Sequence, residues 1–158
     1  MSTPLSTPLS SLTLEQAKLI CNNYARLFDR KLVENTQGDE TLVEKLWHAP
    51  FVLLSHGNEQ EPIFNFANQN AITLFEFPID ELLRLPSKLS AEPAEQLQRE
   101  QLLKQVSEHG YIDNYSGVRI SSTGRRFRID NAIIWDLFDE QGQYQGQAAM
   151  FEKWVYLP

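Results

Sequence analysis

The 158-residue chain is poor in the side chains that site chemistry usually recruits: one cysteine, three histidines and two methionines. The single Cys21 excludes an internal disulfide and makes a reducing cytoplasm the natural setting. Lying among Leu19, Ile20 and Tyr24, it reads as a small apolar helix residue. Basic residues are few. Fourteen Lys and Arg against 21 Asp and Glu leave a net charge of −7, which argues against duplex nucleic acid as a partner, because phosphate neutralisation supplies most of that affinity. No apolar run approaches the ~20 residues of a membrane helix, so no membrane partner is expected. Gly-rich phosphate loops, nucleophile elbows and metal-ligand clusters are absent. The opening residues, MSTPLSTPLS, carry no basic charge and no apolar stretch, so neither a secretory leader nor a transit peptide is expected of them; residues 1–12 read as a disordered arm.

What remains is ordinary globular material, 42% apolar and 11% aromatic, and enough for one domain with a core. Thr13 signals a helix N-cap, with Gln16 closing a capping box. From 14 to 32, Leu14, Ala17, Cys21, Tyr24, Ala25 and Phe28 recur at helical spacing along one face. A second helix is expected over 39–47, ended by Pro50. The segment 13–49 is thus helical, and residues 50–157 form the main domain.

That domain opens with an apolar strand over 51–55, a turn at Gly57 and Asn58, and a strand over 63–66. Asn68 caps a short helix, and Pro78 opens another. Residues 92–109 form a charged surface helix with apolar Leu97, Leu102, Leu103 and Val106, capped by Gly110. Three strands follow. Tyr111 to Ser121 is interrupted near Gly117 by a bulge or a close approach. Arg126 to Leu137 alternates, placing Phe127, Ile129, Asn131, Ile133, Trp135 and Leu137 on one face and Arg126, Arg128, Asp130, Ala132, Ile134 and Asp136 on the other. Tyr144 to Tyr156 closes the sheet. The fold class is α+β: a five-stranded antiparallel sheet with a helical cradle and N-terminal helices.

The stretches Phe64-Asn-Phe-Ala-Asn-Gln-Asn-Ala71 and Leu74-Phe-Glu-Phe-Pro-Ile-Asp-Glu-Leu82 resemble the front half of a PAS domain. Gly124-Arg-Arg-Phe127, Asp139-Glu-Gln-Gly142 and Gly146 continue the likeness in order. More specifically, Tyr115-Ser-Gly-Val-Arg-Ile120, Arg126-Phe127, Trp135 and Gly146-Gln-Ala-Ala149 resemble the MEKHLA domain, a PAS-related family found fused to plant homeodomain–leucine-zipper regulators and also free-standing. The resemblance covers roughly 46–154 and implies a PAS-like sheet enclosing a pocket, in a free-standing member of the family.

The expected role is a regulatory sensory module binding a small apolar or aromatic molecule, or a protein partner. Candidate pocket residues are Phe127, Ile129, Asn131, Ile133, Trp135 and Met150. A buried Asn131 amide needs a partner, since leaving it unpaired costs about 1–3 kcal/mol; ligand, water or backbone could each supply it. The plainer alternative leaves Asn131 half-exposed near the sheet edge and Met150 as core filler. No cofactor is identified. A flavin-photoreceptor version of the PAS fold needs an Asn-Cys-Arg-Phe-Leu-Gln segment on its middle helices; Ala71-Ile-Thr-Leu-Phe-Glu76 has no cysteine, so photo-adduct chemistry is not expected, while non-covalent flavin stays open. A haem would need an axial ligand, and His109 at a helix C-terminus better serves the helix dipole. His48 and His56 flank the first strand without ligand-like spacing.

Two rival readings stand beside this one: an interaction module without a ligand, and a small-molecule enzyme of the cone-shaped NTF2 or ketosteroid-isomerase kind. The enzyme needs an inward carboxylate, for which Glu152 is the best candidate. Asp130 and Asp136 read instead as cross-strand ion partners of Arg126 and Arg128. Finally, the apolar stripe of the N-terminal helix must be covered, and the Ala132–Ile134 patch is small, so a homodimer through that helix is expected.

Overall fold

The computed structural model describes residues 12–33 and 41–158. The arm expected over residues 1–12 and the start of the helix expected at 39 lie almost entirely outside them. Helix α1 (Leu14–Phe28) begins at Thr13, whose hydroxyl accepts from the Gln16 backbone N–H at 3.1 Å. Only that half of the capping box forms. The Gln16 side chain reaches away instead, donating to Ser55 Oγ and Asn65 Oδ1 at 3.1 and 3.3 Å. Asp29, in the left-handed region, ends the helix before the sequence pattern does.

Helix α2 (Leu42–Trp47) leads into β1 (Val52–His56) and β2 (Phe64–Ala67). Two short helices, α3 (Gln69–Phe75) and α4 (Ile79–Leu82), and a 3-10 turn at Ser87–Ser90 precede the long α5 (Pro93–His109). Strands β3 (Tyr111–Ile120), β4 (Arg126–Phe138), β5 (Tyr144–Phe151) and β6 (Lys153–Tyr156) complete the sheet. Its order is β2-β1-β5-β4-β3, with β6 paired to β4, and all pairings are antiparallel.

Asn68 ties the front of the domain together. It is fully buried, and its Oδ1 accepts from the Leu53 and Ala71 N–H groups at 3.1 and 3.2 Å. Its Nδ2 donates to the carbonyls of Leu46 and Phe51 at 3.0 and 2.8 Å. One amide thus caps α3 and closes the last turn of α2 onto β1.

A crease runs across three strands. Asn131 on β4 and Asn114 on β3 both take left-handed backbone, at φ 54° and 56°, which Asn tolerates better than most residues. Each adds one residue to the local alternation. On β4, Phe127 and Ile129 face inward, Asn131 is exposed, and then Ala132 and Ile134 face inward while Trp135 and Leu137 join the cluster on the opposite face. On β3, Ile112 and Tyr115, three apart, share the inner cluster. The last strand breaks at Glu152 on the same line, so Phe151 and Trp154 share a side and stack edge-on at 6.0 Å. The single closing strand expected from the sequence is therefore two, and the sheet has six strands.

The crease corrects the expected faces of β4. The strand does not keep Phe127 through Leu137 on one side: Ile133, Trp135 and Leu137 turn to the outer face, and the Ala132–Ile134 patch turns inward. Helix α1 lies on that outer face. Tyr24 meets Trp135 edge-on at 5.1 Å, and Trp135 Nε1 donates to the Ile20 carbonyl at 3.3 Å. The Asn23 side chain pairs with both backbone groups of Phe138, at 3.0 and 3.2 Å, as a neighbouring strand would. Of the stripe, Ala17 and Tyr24 are buried together with the adjacent Ile20, and Leu14, Cys21, Ala25 and Phe28 are half-buried, so it packs on the chain's own sheet.

Candidate functional site

The inner face of the sheet and α5 enclose a cavity of about 60 Å³. Its apolar wall comes from Leu54, Phe64, Phe75, Ile129, Ala132, Ile134 and Phe151. Beside Ser55, Ser90 and Tyr115, four larger polar side chains line it, one from each of four elements: His56 on β1, Gln147 on β5, Arg99 on α5 and Arg119 on β3. They are 8%, 2%, 6% and 9% exposed, which is unusual burial for such groups.

Arg119 owes its position to a local arrangement on β3. Tyr115, Gly117 and Arg119 occupy successive inward positions. A Cβ at Gly117 would stand 2.0 Å from the Tyr115 hydroxyl, so the missing side chain lets the phenol ring lie back along the strand. There Tyr115 Oη accepts from Arg119 Nη2 at 3.2 Å, and Arg119 Nη1 donates to the Val118 carbonyl at 2.8 Å. The close approach expected near Gly117 is thus made by its own strand's tyrosine. Arg99 donates to Ser87 Oγ. Burial, and then the charge of Arg119, pull the Arg99 guanidinium down to about 10. Among the described residues neither arginine forms an ion pair; those that do form there include Lys88 with Glu61, Arg126 with Glu92 and Arg128 with Asp130.

His56 and Gln147 supply acceptors. The His56 Nδ1 lies 3.0 Å from the Gly57 carbonyl, an acceptor only, so Nδ1 carries the proton. Burial holds the imidazole below its ordinary pKa, so at neutral pH Nε2 is a bare lone pair, and it has no partner. The Gln147 amide orientation is fixed by its surroundings. Its Nε2 donates to Asp136 Oδ1 at 2.9 Å and to the Leu103 carbonyl at 3.2 Å, two acceptors that the amide oxygen could not face. Gln147 Oε1 is therefore aimed elsewhere, buried and without a donor. Gln147 is close enough to His56 to favour its imidazolium form, yet no bond of ordinary geometry joins Nε2 to Oε1.

Of the six residues expected from the sequence, Ile129 alone lines this cavity. Phe127 packs beside it, edge-on to Phe75 at 5.2 Å. Asn131 is solvent-exposed at the crease, on a strand inside the sheet rather than at its edge, and needs no buried partner. Ile133, Trp135 and Met150 pack with α1 on the far side of the sheet. Conversely, Arg99, Arg119, His56 and Gln147 are not among the sequence candidates. Asp136, expected outward, is buried behind Gln147, and its carboxyl is pushed up by burial; it does not line the cavity. Glu152 is exposed.

The family model of the MEKHLA domain matches residues 14–156. The chain belongs to the MEKHLA domain family. Its relatives include the homeobox-leucine zipper proteins HOX10 of Oryza sativa subsp. indica, 27% identical over 143 residues and 89% of this chain, and ATHB-15 of Arabidopsis thaliana, 26% identical over 160 residues and 99% of this chain. The chain spans 17% and 18% of their lengths, so the MEKHLA domain is a minor part of each.

The MEKHLA fold is similar to that of a PAS domain from Colwellia psychrerythraea, with a TM-score of 0.62 at 11% identity, covering 75% of this chain and 95% of that one. It is also similar to the fungal blue-light photoreceptor Vivid, crystallised as a light-state dimer, with a TM-score of 0.56 at 14% identity, covering 83% and 91%. The chain therefore has an α+β PAS-like fold.

The flavin of light-oxygen-voltage domains does not fit this MEKHLA chain. About 60 Å³ is a fraction of the ~300–1,000 Å³ of typical small-molecule pockets. Cys21 lies on α1, in the cluster across the sheet from the cavity, and burial pushes its thiol up to about 12. Among the described residues, no group of three or more His, Cys, Asp or Glu could hold a metal, and no helix is long and apolar enough to cross a membrane.

Proposed function

We propose that this MEKHLA chain is a regulatory sensory module that reads a small molecule in the cavity between α5 and the sheet. The observation that supports it best is the pair of buried lone pairs, His56 Nε2 and Gln147 Oε1, which have no hydrogen-bond partner and belong to two residues of the cavity wall. A folded protein seldom leaves such groups unpaired, because each costs about 1–3 kcal/mol. Occupancy would move α5, whose Leu102 and Val106 pack on Ile134, and so change affinity for a protein partner. The helical segment 13–49 and the domain 50–157 would act as one unit, because α1 forms the outer half of the core. Native mass spectrometry of the purified protein, with heteronuclear NMR during ligand addition, tests this. A mass above the apo value, or shifts confined to cavity residues, supports ligand reading; an apo mass and no cavity shift with any small molecule refutes it.

One observation favours the second reading, a protein-interaction module without ligand: the cavity is small. An enzyme of the cone-shaped kind has no support, since no carboxylate lines the cavity among the described residues. The apolar stripe of α1, from which the sequence leads one to expect a homodimer, packs on the sheet of its own chain. Pairing of copies through other surfaces rests on the precedent of Vivid's light-state dimer. Sedimentation decides it: a single species at the 18.2 kDa monomer mass at micromolar concentration refutes pairing.

A further inference from the structure

Ser55 and Ser90 of the cavity wall already donate to Asn65 Oδ1 and the Ser87 carbonyl, but four other polar side chains there have a pattern beyond being buried. Two are cationic forks with spare donors, and two are acceptors with spare lone pairs. A guanidinium carries five N–H donors. Arg99 places one of its own on Ser87, and Arg119 places two, on Tyr115 and Val118. Neither has a carboxylate within ion-pair distance among the described residues, and the charge of Arg119 works against that of Arg99. Uncompensated buried cations are costly, and a chain of net charge −7 has acidic side chains in plenty that could have been placed beside them. None stands at ion-pair distance among the described residues, although the Glu100 carboxylate favours the Arg99 charge from further off; the forks are thus open to an anion from outside, and planar guanidinium pairs suit a carboxylate.

The remaining two groups specify the other end of that molecule. His56 Nε2 and Gln147 Oε1 both accept, so their complement is a donor such as a hydroxyl. Size sets the rest. One water needs about 10–15 Å³ of cavity space, so about 60 Å³ holds roughly five non-hydrogen atoms. The wall between is apolar, contributed by Ala132, Ile134 and Leu54.

We propose that the cavity receives a small hydroxycarboxylate, its carboxylate between Arg99 and Arg119 and its hydroxyl donating to His56 Nε2 or Gln147 Oε1. This names the ligand class of the site proposed above and rests on that reading. Two buried arginines without carboxylate partners then have a use that offsets their cost in the empty state, as functional groups often do.

The test is thermal unfolding of the full chain with sodium glycolate, compared at equal ionic strength with sodium acetate, inorganic phosphate, neutral glycolamide and sodium chloride. At ten times its dissociation constant, glycolate should raise the midpoint by about 3–6 °C. Acetate, lacking the hydroxyl, should bind at least about tenfold more weakly, the equivalent of one hydrogen bond to the acceptors. Glycolamide and chloride should do nothing. Arg99→Met should fold with its ligand-free midpoint unchanged or higher, since a buried unpaired charge is gone, and should lose the glycolate response. Arg119→Met, checked for folding by circular dichroism, is the second variant.

A glycolate effect no larger than that of chloride, one matched by phosphate or acetate, or one retained in both variants overturns the proposal. Pyrazole, a neutral aromatic small enough for this space, separates the two levels. If pyrazole shifts cavity resonances and glycolate does not, the ligand-binding reading stands and the hydroxycarboxylate falls. If neither does, both fall.

Discussion

Replacing Asn68 isolates one side chain that joins three elements. Its four hydrogen bonds use every donor and acceptor of the amide, and it is fully buried. Each bond contributes about 0.5–1.5 kcal/mol net, so Asn68→Ala removes roughly 2–6 kcal/mol before relaxation; the Leu53 and Ala71 N–H groups lose their Asn68 acceptor, while the Leu46 and Phe51 carbonyls keep the Ala49 N–H and Asn70 Nδ2. Water entering the space recovers part of this, and a loss of about 3–4 kcal/mol is expected. In a domain of this size that lowers the thermal midpoint by about 6–16 °C. The decisive variant is Asn68→Asp. It keeps the two acceptor bonds, to the Leu53 and Ala71 N–H groups, and with them the α3 cap. It sets a carboxylate oxygen against the carbonyls of Leu46 and Phe51, where the amide donated. Asp should therefore be at least as damaging as Ala, although it is the better helix cap. Urea unfolding at neutral pH, followed by tryptophan fluorescence, measures the difference at constant m-value. An Asn68→Asp protein within about 1 kcal/mol of the parent would show that the donor half of the amide contributes little, and the reasoning would fail.

Asn131→Val, exposed and remote from the core, should cost about 1–2 kcal/mol because a β-branched residue resists φ 54°, while Asn131→Gly should be neutral or better by urea titration. Gly146→Ala should cost about 3 kcal/mol or more, since a Cβ there would stand 2.0 Å from the His56 carbonyl at φ 132°; a calorimetric midpoint near that of the parent would contradict the close approach. Because burial holds His56 below its ordinary 6.5, its neutral form contributes stability that is complete above pH 6.5 and lost as pH falls through its folded value. Midpoints should fall on acidification, and His56→Leu should flatten that part of the profile. Asp136, raised above 3.8 by burial, acts in the opposite sense, contributing stability at low pH that is lost as pH rises, and should persist in the variant.

Local features were legible. Thr13, Asn68 and Gly110 act as the caps their residue types announce, and the turns at Gly57 and Gly142 fall where the punctuation puts them. The strands were legible too, because their runs are apolar and bounded. The face of β4 beyond Asp130 was not, since strict alternation assumes that every residue advances the strand equally, and Asn131 does not. One signal was available: Ile-Asp-Asn occurs at 112–114 and again at 129–131, and both asparagines take the left-handed turn.

The site was hidden for another reason. Arg99, Arg119, His56 and Gln147 come from four separate elements, and each alone reads as a solvated polar residue. Only the packing of α5 across the sheet brings them together. On α5 itself the apolar pattern misleads, because Leu97 is exposed while Arg99 is buried.

The crease through Asn114, Asn131 and Glu152 makes the far part of the sheet a partition one side chain thick. Along β4 beyond it, Ala132 and Ile134 belong to the cavity, and Ile133, Trp135 and Leu137 belong to α1. The two compartments can then be re-tailored separately by substitution, since neighbouring positions serve different rooms. Insertion or deletion of one residue between 131 and 138 would instead exchange their furnishings, setting Trp135 in the cavity and small side chains under the helix. The stretch should tolerate changes of side chain far more readily than changes of length.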